Sequence, residues 1–109
     1  LLLMSTQRIM ECARNTDVLY RMGGDEFVMV IESATPQDGH HIVRNIVKAF
    51  SLPFEIFQQR VYTTVSIGVS VYPDDASDLQ TLLTYADLAM YRAKQNGRNS
   101  FEFYTPNMN

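Results

Sequence analysis

From Val61 to Tyr72 the chain alternates between two kinds of side chain, and this stretch limits the fold more than any other. Val61, Thr63, Val65, Ile67, Val69 and Val71 fall on one face of an extended strand. Tyr62, Thr64, Ser66, Gly68, Ser70 and Tyr72 fall on the other. A two-residue period of this length predicts one long strand. Its second face is small in the middle, at Ser66, Gly68 and Ser70. A helix or a ligand can approach such a face closely.

The other elements follow from local signals. "VLYRM" (18–22) and "FVMVI" (27–31) flank Gly23-Gly24 and read as a β-hairpin. The unbroken apolar run at 27–31 predicts a central strand covered on both faces. Residues 1–14 place Leu2, Leu3, Ile9, Met10 and Ala13 at helical spacing, so they predict an amphipathic helix that begins with no cap. Thr35 as cap and Pro36 at the first helical position start another helix, with Ile42, Val43, Ile46, Val47 and Phe50 as its buried stripe. "FEIF" pairs with the start of the long strand around Gln58-Gln59. Ser77 and Gln80 form a capping-box pattern for the last helix. Its stripe is Leu79, Leu82, Leu83, Ala86, Ala89, Met90 and Ala93, and Gly97 ends it. "FEFY" (101–104) is a final short strand. The predicted order is α, β, β, α, β, β, α, β. That order gives an α/β (α+β) sandwich of the ferredoxin-like kind, a mostly antiparallel sheet with surrounding helices.

Composition removes several function classes. The 109 residues suit one domain, and 46% apolar with 19% charged residues is a globular balance. A formal net charge of −3 argues against a duplex-binding surface. No apolar run approaches the roughly 18 residues of a membrane span. "LLLM" is too short for a signal sequence and has no basic segment before it. The lone Cys12 cannot form an internal disulfide and suits a reducing cytosol. Without more Cys or His at metal-ligand spacing, His40 and His41 do not make a zinc site.

Three small constellations carry possible chemistry, and each has two readings. Gly23-Gly24-Asp25-Glu26 is an ordinary hairpin turn with solvated acids. It is also a place where glycine backbone can approach a phosphate and two adjacent carboxylates can share a hard divalent cation. Lys94-x-x-x-Arg98 complements the negative end of a helix, or it converges two cations on a polyphosphate. Arg14-x-x-Asp17 reads as a surface ion pair of small consequence.

Taken together, "RMGGDEF" (21–27), "TVSIGVSVYP" (64–73) and "ADLAMYRAKQNGRN" (86–99) resemble the diguanylate cyclase (GGDEF) domain family, with the blocks in the family's order. The resemblance covers the whole chain. It implies a palm-like nucleotide-cyclase fold, and residues 1–109 as the C-terminal two-thirds of one such domain. It implies condensation of two GTP into cyclic di-GMP with release of pyrophosphate, in a homodimer whose two sites face each other. Gly23 and Gly24 would line the nucleotide. Asp25 would bind Mg²⁺ (or Mn²⁺), and Glu26 would assist the metal or activate the 3′-hydroxyl. Lys94 and Arg98 would contact phosphate. Arg14 and Asp17 match the family's inhibitory product site for cyclic di-GMP.

The same resemblance marks a departure. The family begins with a strand that carries another metal-binding Asp, followed by an Asn and an Asp that read guanine. No "D-x-D-x-F-K" stretch stands in this chain. The expectation is therefore half a metal site, no turnover by these residues alone, and an exposed strand edge where a central strand is lacking. "GRNSFEFYTPNMN" also resembles the junction ahead of a cyclic di-GMP phosphodiesterase (EAL) domain. A non-catalytic module that binds GTP or cyclic di-GMP is the alternative function. A third possibility, a ferredoxin-like RNA binder, needs a basic sheet with adjacent exposed aromatics. The negative charge and the spacing of Tyr62 and Tyr72 oppose it, so no nucleic-acid partner is expected. The expected location is the cytoplasm, with no membrane contact in this segment.

Overall fold

A computed structural model describes residue 4 and residues 7–10, 17–32, 36–97 and 99–108, with the backbone alone for 36–39. Cys12, Arg14, Thr35 and Arg98 lie outside the described residues.

The Gly-Gly hairpin forms as expected. β1 (Val18–Gly23) and β2 (Glu26–Glu32) pair antiparallel, with a register irregularity between Arg21 and Gly23. The turn itself is Gly24-Asp25, so Glu26 already lies on the strand. Gly24 has φ +22°, and a hairpin this tight draws on glycine's freedom there. α1 (Pro36–Ala49) follows, and it buries Ile42, Val43 and Ile46. The small hairpin of β3 (Phe54–Ile56) and β4 (Gln59–Val61) forms a separate two-stranded sheet. β5 (Ser66–Tyr72), α2 (Leu79–Gln95) and β6 (Ser100–Phe103) complete the domain. Met4 and Gln7–Met10 are helical, and Ile9 is fully buried while Met10 is exposed.

The main sheet runs β1-β2-β5-β6. Its strand directions differ from the antiparallel expectation. β2 pairs parallel with β5 over Glu26–Glu32, and β5 pairs parallel with β6. Each of these connections contains a helix that returns the chain to the same end of the sheet, which makes the next strand parallel. Direct pairing of β2 with β5 also removes the bare edge expected from a lacking central strand. The open edges of the described sheet are β1 and β6.

The single strand expected from Val61 to Tyr72 is two strands in different sheets. Residues 62–65 leave the extended ladder between them. At this bend the backbone N–H of Val65 turns to the Asn99 side chain, and that of Ser66 turns to the Asp25 carbonyl. Alternation of side chains continues through such a bend, so the sequence pattern does not reveal it.

Three layers result. On one face of the sheet, Phe27, Met29, Ile31, Ile67 and Val69 pack with the α1 stripe, Phe50, Phe54 and Ile9. On the other, Val28 packs against Ala86 and Met90 of α2. Gly68 sits at this second contact. A Cβ there would lie 1.9 Å from the Ala86 carbonyl oxygen and 2.2 Å from the Met90 nitrogen. The Ser70 hydroxyl donates to the Leu82 carbonyl at 2.7 Å. The small face of β5 therefore receives a helix, one of the two occupants its sequence allows.

Two details of α2 differ from expectation. Its cap is Asp78, whose Oδ2 accepts from the Thr81 backbone N–H and hydroxyl; Ser77 and Gln80 do not form the cap. The Asp side chain reaches the third backbone N–H, so it satisfies the helix start one residue later than expected. Leu79, placed in the buried stripe, is 47% exposed at the first helical position. Gly97, with φ +127°, follows the Asn96 cap as expected.

Candidate functional site

The carboxylate turn and the last turn of α2 meet at one end of the sheet. Lys94 Nζ forms an ion pair with Glu26 Oε2, joining two motifs that are distant in sequence. Glu26 starts β2 and points to the face that α2 covers, as Val28 does. The pair stays accessible, with side-chain exposures of 45% for Lys94 and 26% for Glu26. The hydrogen bond and charge of Glu26, with a smaller share from Asp25, push the Lys94 pKa above the usual lysine range.

Backbone contacts fix the turn. The Asp25 carbonyl accepts from the Ser66 N–H at 2.9 Å, and the Gly24 carbonyl accepts from Arg21 Nε at 3.0 Å. Both leave the Asp25 carboxylate exposed. Space above the glycines is open. A Cβ on Gly24 would meet nothing within 4 Å, and one on Gly23 would meet only Glu26 Oε1 at 3.5 Å. A phosphate can therefore approach this backbone.

The donor set suits a particular kind of cation site. Among the described residues no group of three or more His, Cys, Asp or Glu side chains gathers around one point. Asp25 and Glu26 are thus two hard oxygen donors without a protein cage. That matches Mg²⁺, which usually keeps waters and takes its other oxygens from substrate phosphates. Lys94 takes Glu26 Oε2 as its partner, so a cation at this carboxylate would have to share it with the ammonium.

Of the residues singled out in sequence, Gly23, Gly24, Asp25, Glu26 and Lys94 come together here. Arg14 and Arg98 lie outside the described residues. Asp17 is half-buried just before β1. Sequence reasoning missed Asn99. It has φ +54°, its Nδ2 donates to the Val47 carbonyl at 3.1 Å, and its Oδ1 accepts from Val65 N–H at 3.4 Å. Its signal was an Asn two residues past the helix-ending glycine, since Asn tolerates the left-handed region better than most residues.

The family description "Diguanylate cyclase, GGDEF domain" matches residues 1–100. The chain belongs to the GGDEF domain family. It is 39% identical over 109 residues to the bifunctional diguanylate cyclase/cyclic di-GMP phosphodiesterase MucR of Pseudomonas aeruginosa, covering 100% of this chain and 16% of that protein. It is 37% identical over 101 residues to the cyclic di-GMP phosphodiesterase PdeR of Escherichia coli, covering 93% of this chain and 15% of that protein. The chain thus spans about a sixth of the length of these curated relatives. The solved structure of an N-terminally shortened TpbB (YfiN) from Pseudomonas aeruginosa, comprising only its GGDEF domain, superposes with a TM-score of 0.84 at 34% identity, covering 98% of this chain and 63% of that one. The mixed α/β architecture with its central sheet is therefore that of GGDEF structures. The relatives place the chain in a nucleotidyltransferase family of cyclic di-GMP signalling, and some of them are named as phosphodiesterases. Among the described residues, no helix is long and apolar enough to cross a membrane.

Proposed function

We propose that this GGDEF domain, within its parent protein, condenses two GTP into cyclic di-GMP with release of two pyrophosphates. The observation that carries the reading is the Glu26–Lys94 pair, because it brings a two-carboxylate turn and a phosphate-type cation to one open end of the sheet. Gly23 and Gly24 let the nucleotide lie against the backbone, and Lys94, with Arg98, holds its phosphates. Asp25 and Glu26 hold Mg²⁺ or Mn²⁺. When bound there, the cation would supply charge neutralisation at the phosphates. The side chains contribute orientation and fixed charge, the usual source of rate in phosphoryl transfer. Each subunit of a homodimer brings one GTP, and Arg14 and Asp17 form a product site through which cyclic di-GMP limits its own synthesis. The domain works in the cytoplasm, without nucleic acid.

Residues 1–109 alone bind GTP weakly and do not turn it over, because two carboxylates with no third donor gathered beside them among the described residues leave the cation loosely held. Calorimetry of this chain with GTP, with and without Mg²⁺, tests the site. The expected result is weak, Mg²⁺-dependent binding that Glu26→Gln abolishes. Equal binding by wild type and Glu26→Gln sinks the metal-site reading. Robust pyrophosphate release by the 109 residues sinks the claim of inactivity.

The likeness to PdeR, named as a phosphodiesterase, favours a second reading. In it the domain is a regulatory module that binds GTP or cyclic di-GMP, ahead of a phosphodiesterase (EAL) domain. Retained GTP binding without pyrophosphate release by the full parent selects this reading.

A further inference from the structure

The carboxylate turn and the end of α2 are joined by more than the exposed Glu26–Lys94 pair. A second link runs through the backbone of Val65 and Ser66. Ser66 N–H donates to the Asp25 carbonyl at 2.9 Å, which ties this dipeptide to the carboxylate turn. Val65 N–H donates to Asn99 Oδ1 at 3.4 Å, and the Val65 carbonyl accepts from Ser100 N–H at 3.0 Å. These tie the same dipeptide to the turn that follows α2. Two consecutive N–H groups thus hold the two halves of the site at a fixed separation.

Asn99 anchors this link on its other side. Its Nδ2 donates to the Val47 carbonyl in α1 at 3.1 Å, so one amide joins α1, the residue just before β5 and the turn beyond α2. Its φ of +54° is a conformation Asn accepts more readily than other side chains. Beside it, the Ser100 hydroxyl shares its one proton between the Ala93 carbonyl at 2.8 Å and the Gly97 carbonyl at 3.0 Å. Those bonds close the end of α2 against the residue next to Asn99. The helix end that presents Lys94 is therefore seated on a network whose one long-range side-chain clamp, among these contacts, is Asn99.

We propose that Asn99 is a positioning residue of the GTP site. It sets the distance between the carboxylate turn and Lys94 through Val65–Ser66, without touching the nucleotide. This inference rests on the GTP-binding reading above, and the test separates the two.

The variant is Asn99→Gly in the 109-residue chain. Glycine keeps the left-handed backbone at no steric cost, so only the amide clamp is lost. Hydrogen exchange of single amides is the main readout. The expected result is exchange at Ser66 faster by about tenfold, the effect of loosening one hydrogen bond, while Val69 in the same strand keeps its protection. Affinity for Mg²⁺·GTP falls by about tenfold, the effect of one loosened contact. A merely structural role moves Ser66 and Val69 together, and that result overturns the proposal. So does unchanged exchange at Ser66. If Asn99→Gly melts far below wild type, Asn99→Asp gives the same comparison, since it keeps the acceptor for Val65 and loses only the donor to Val47. Its Ser66 protection should then exceed that of Asn99→Gly, and equal loss in both overturns the clamp. Absence of GTP binding by the wild type removes the functional reading alone, because the Ser66 exchange still decides whether Asn99 positions the turn.

Discussion

The middle of α2 and its last turn sit on the same sheet and are held to it in opposite ways. In the middle, Ala86 and Met90 press on Gly68 so closely that no Cβ fits, and Ser70 bonds the Leu82 carbonyl below solvent. In the last turn, Lys94 reaches across open space to Glu26, and both side chains keep contact with water. Close packing tolerates little change in volume, whereas an exposed ion pair adds little stability and opens easily. The middle fixes where α2 lies, and the last turn is held by a pair that opens at little cost.

Substitutions at the two regions should differ accordingly. Gly68→Ala is the largest change. The new methyl meets backbone, which cannot swing aside, so the cost should reach about 3 kcal/mol, the upper end for overpacking. Urea denaturation measures it, and a loss below half of that would mean that α2 is not held rigidly here. Ser70→Ala removes one buried hydrogen bond and should cost about 1 kcal/mol in the same assay.

Ion-linked effects come next. Hydrogen bonds from Thr81 hold the Asp78 pKa below the usual carboxylate range. Its folded pKa is depressed, so its contribution is complete above about pH 4 and is lost as pH falls through the lower folded value. Asp78→Ala should lower the melting temperature at pH 7, and the difference from wild type should close in strong acid. A gap that persists there would show that the cap does not act through its charge. Lys94 has the opposite sign. Its folded pKa is raised, so the stabilisation is complete below about pH 10 and is lost as pH climbs through the higher folded value.

Lys94→Met should have the smallest effect on stability, with a denaturation midpoint indistinguishable from wild type at pH 7. The same variant should lose Mg²⁺·GTP binding in calorimetry. A large loss of stability in Lys94→Met would erase the contrast between the two regions.

Much of this contrast was legible in the sequence. The apolar run at 27–31 identified a strand buried on both faces, and Phe27 to Ile31 are all buried. Ser66, Gly68 and Ser70 identified a face that a helix or a ligand can approach closely, and a helix occupies it. The three motif blocks identified the family. Strand direction was not legible, because alternation is the same whichever way a neighbour runs, and the parallel partners of β2 and β6 depend on the helices between strands. The bend at 62–65 was hidden for a related reason, since Thr63, Thr64 and Val65 continue the alternation while their backbone bonds leave the ladder. Asn99 was hidden because the carbonyl and N–H that it reaches lie far away in sequence, in α1 and just before β5.

The parallel pairing of β2 with β5 also sets an order of events for the chain as it collapses. β1 and β2 are joined by Gly24-Asp25 alone, so their hairpin closes locally. β2 cannot find β5 until residues 33–65 have been gathered, and long-range pairing of this kind is slow relative to hairpin closure. The carboxylates are thus presented early, on a formed turn, while Ser66 and Lys94 arrive last from the far half of the chain. The Glu26–Lys94 pair is complete only when the slowest contact has been made, so a chain that has not finished folding holds the carboxylate turn without its cation.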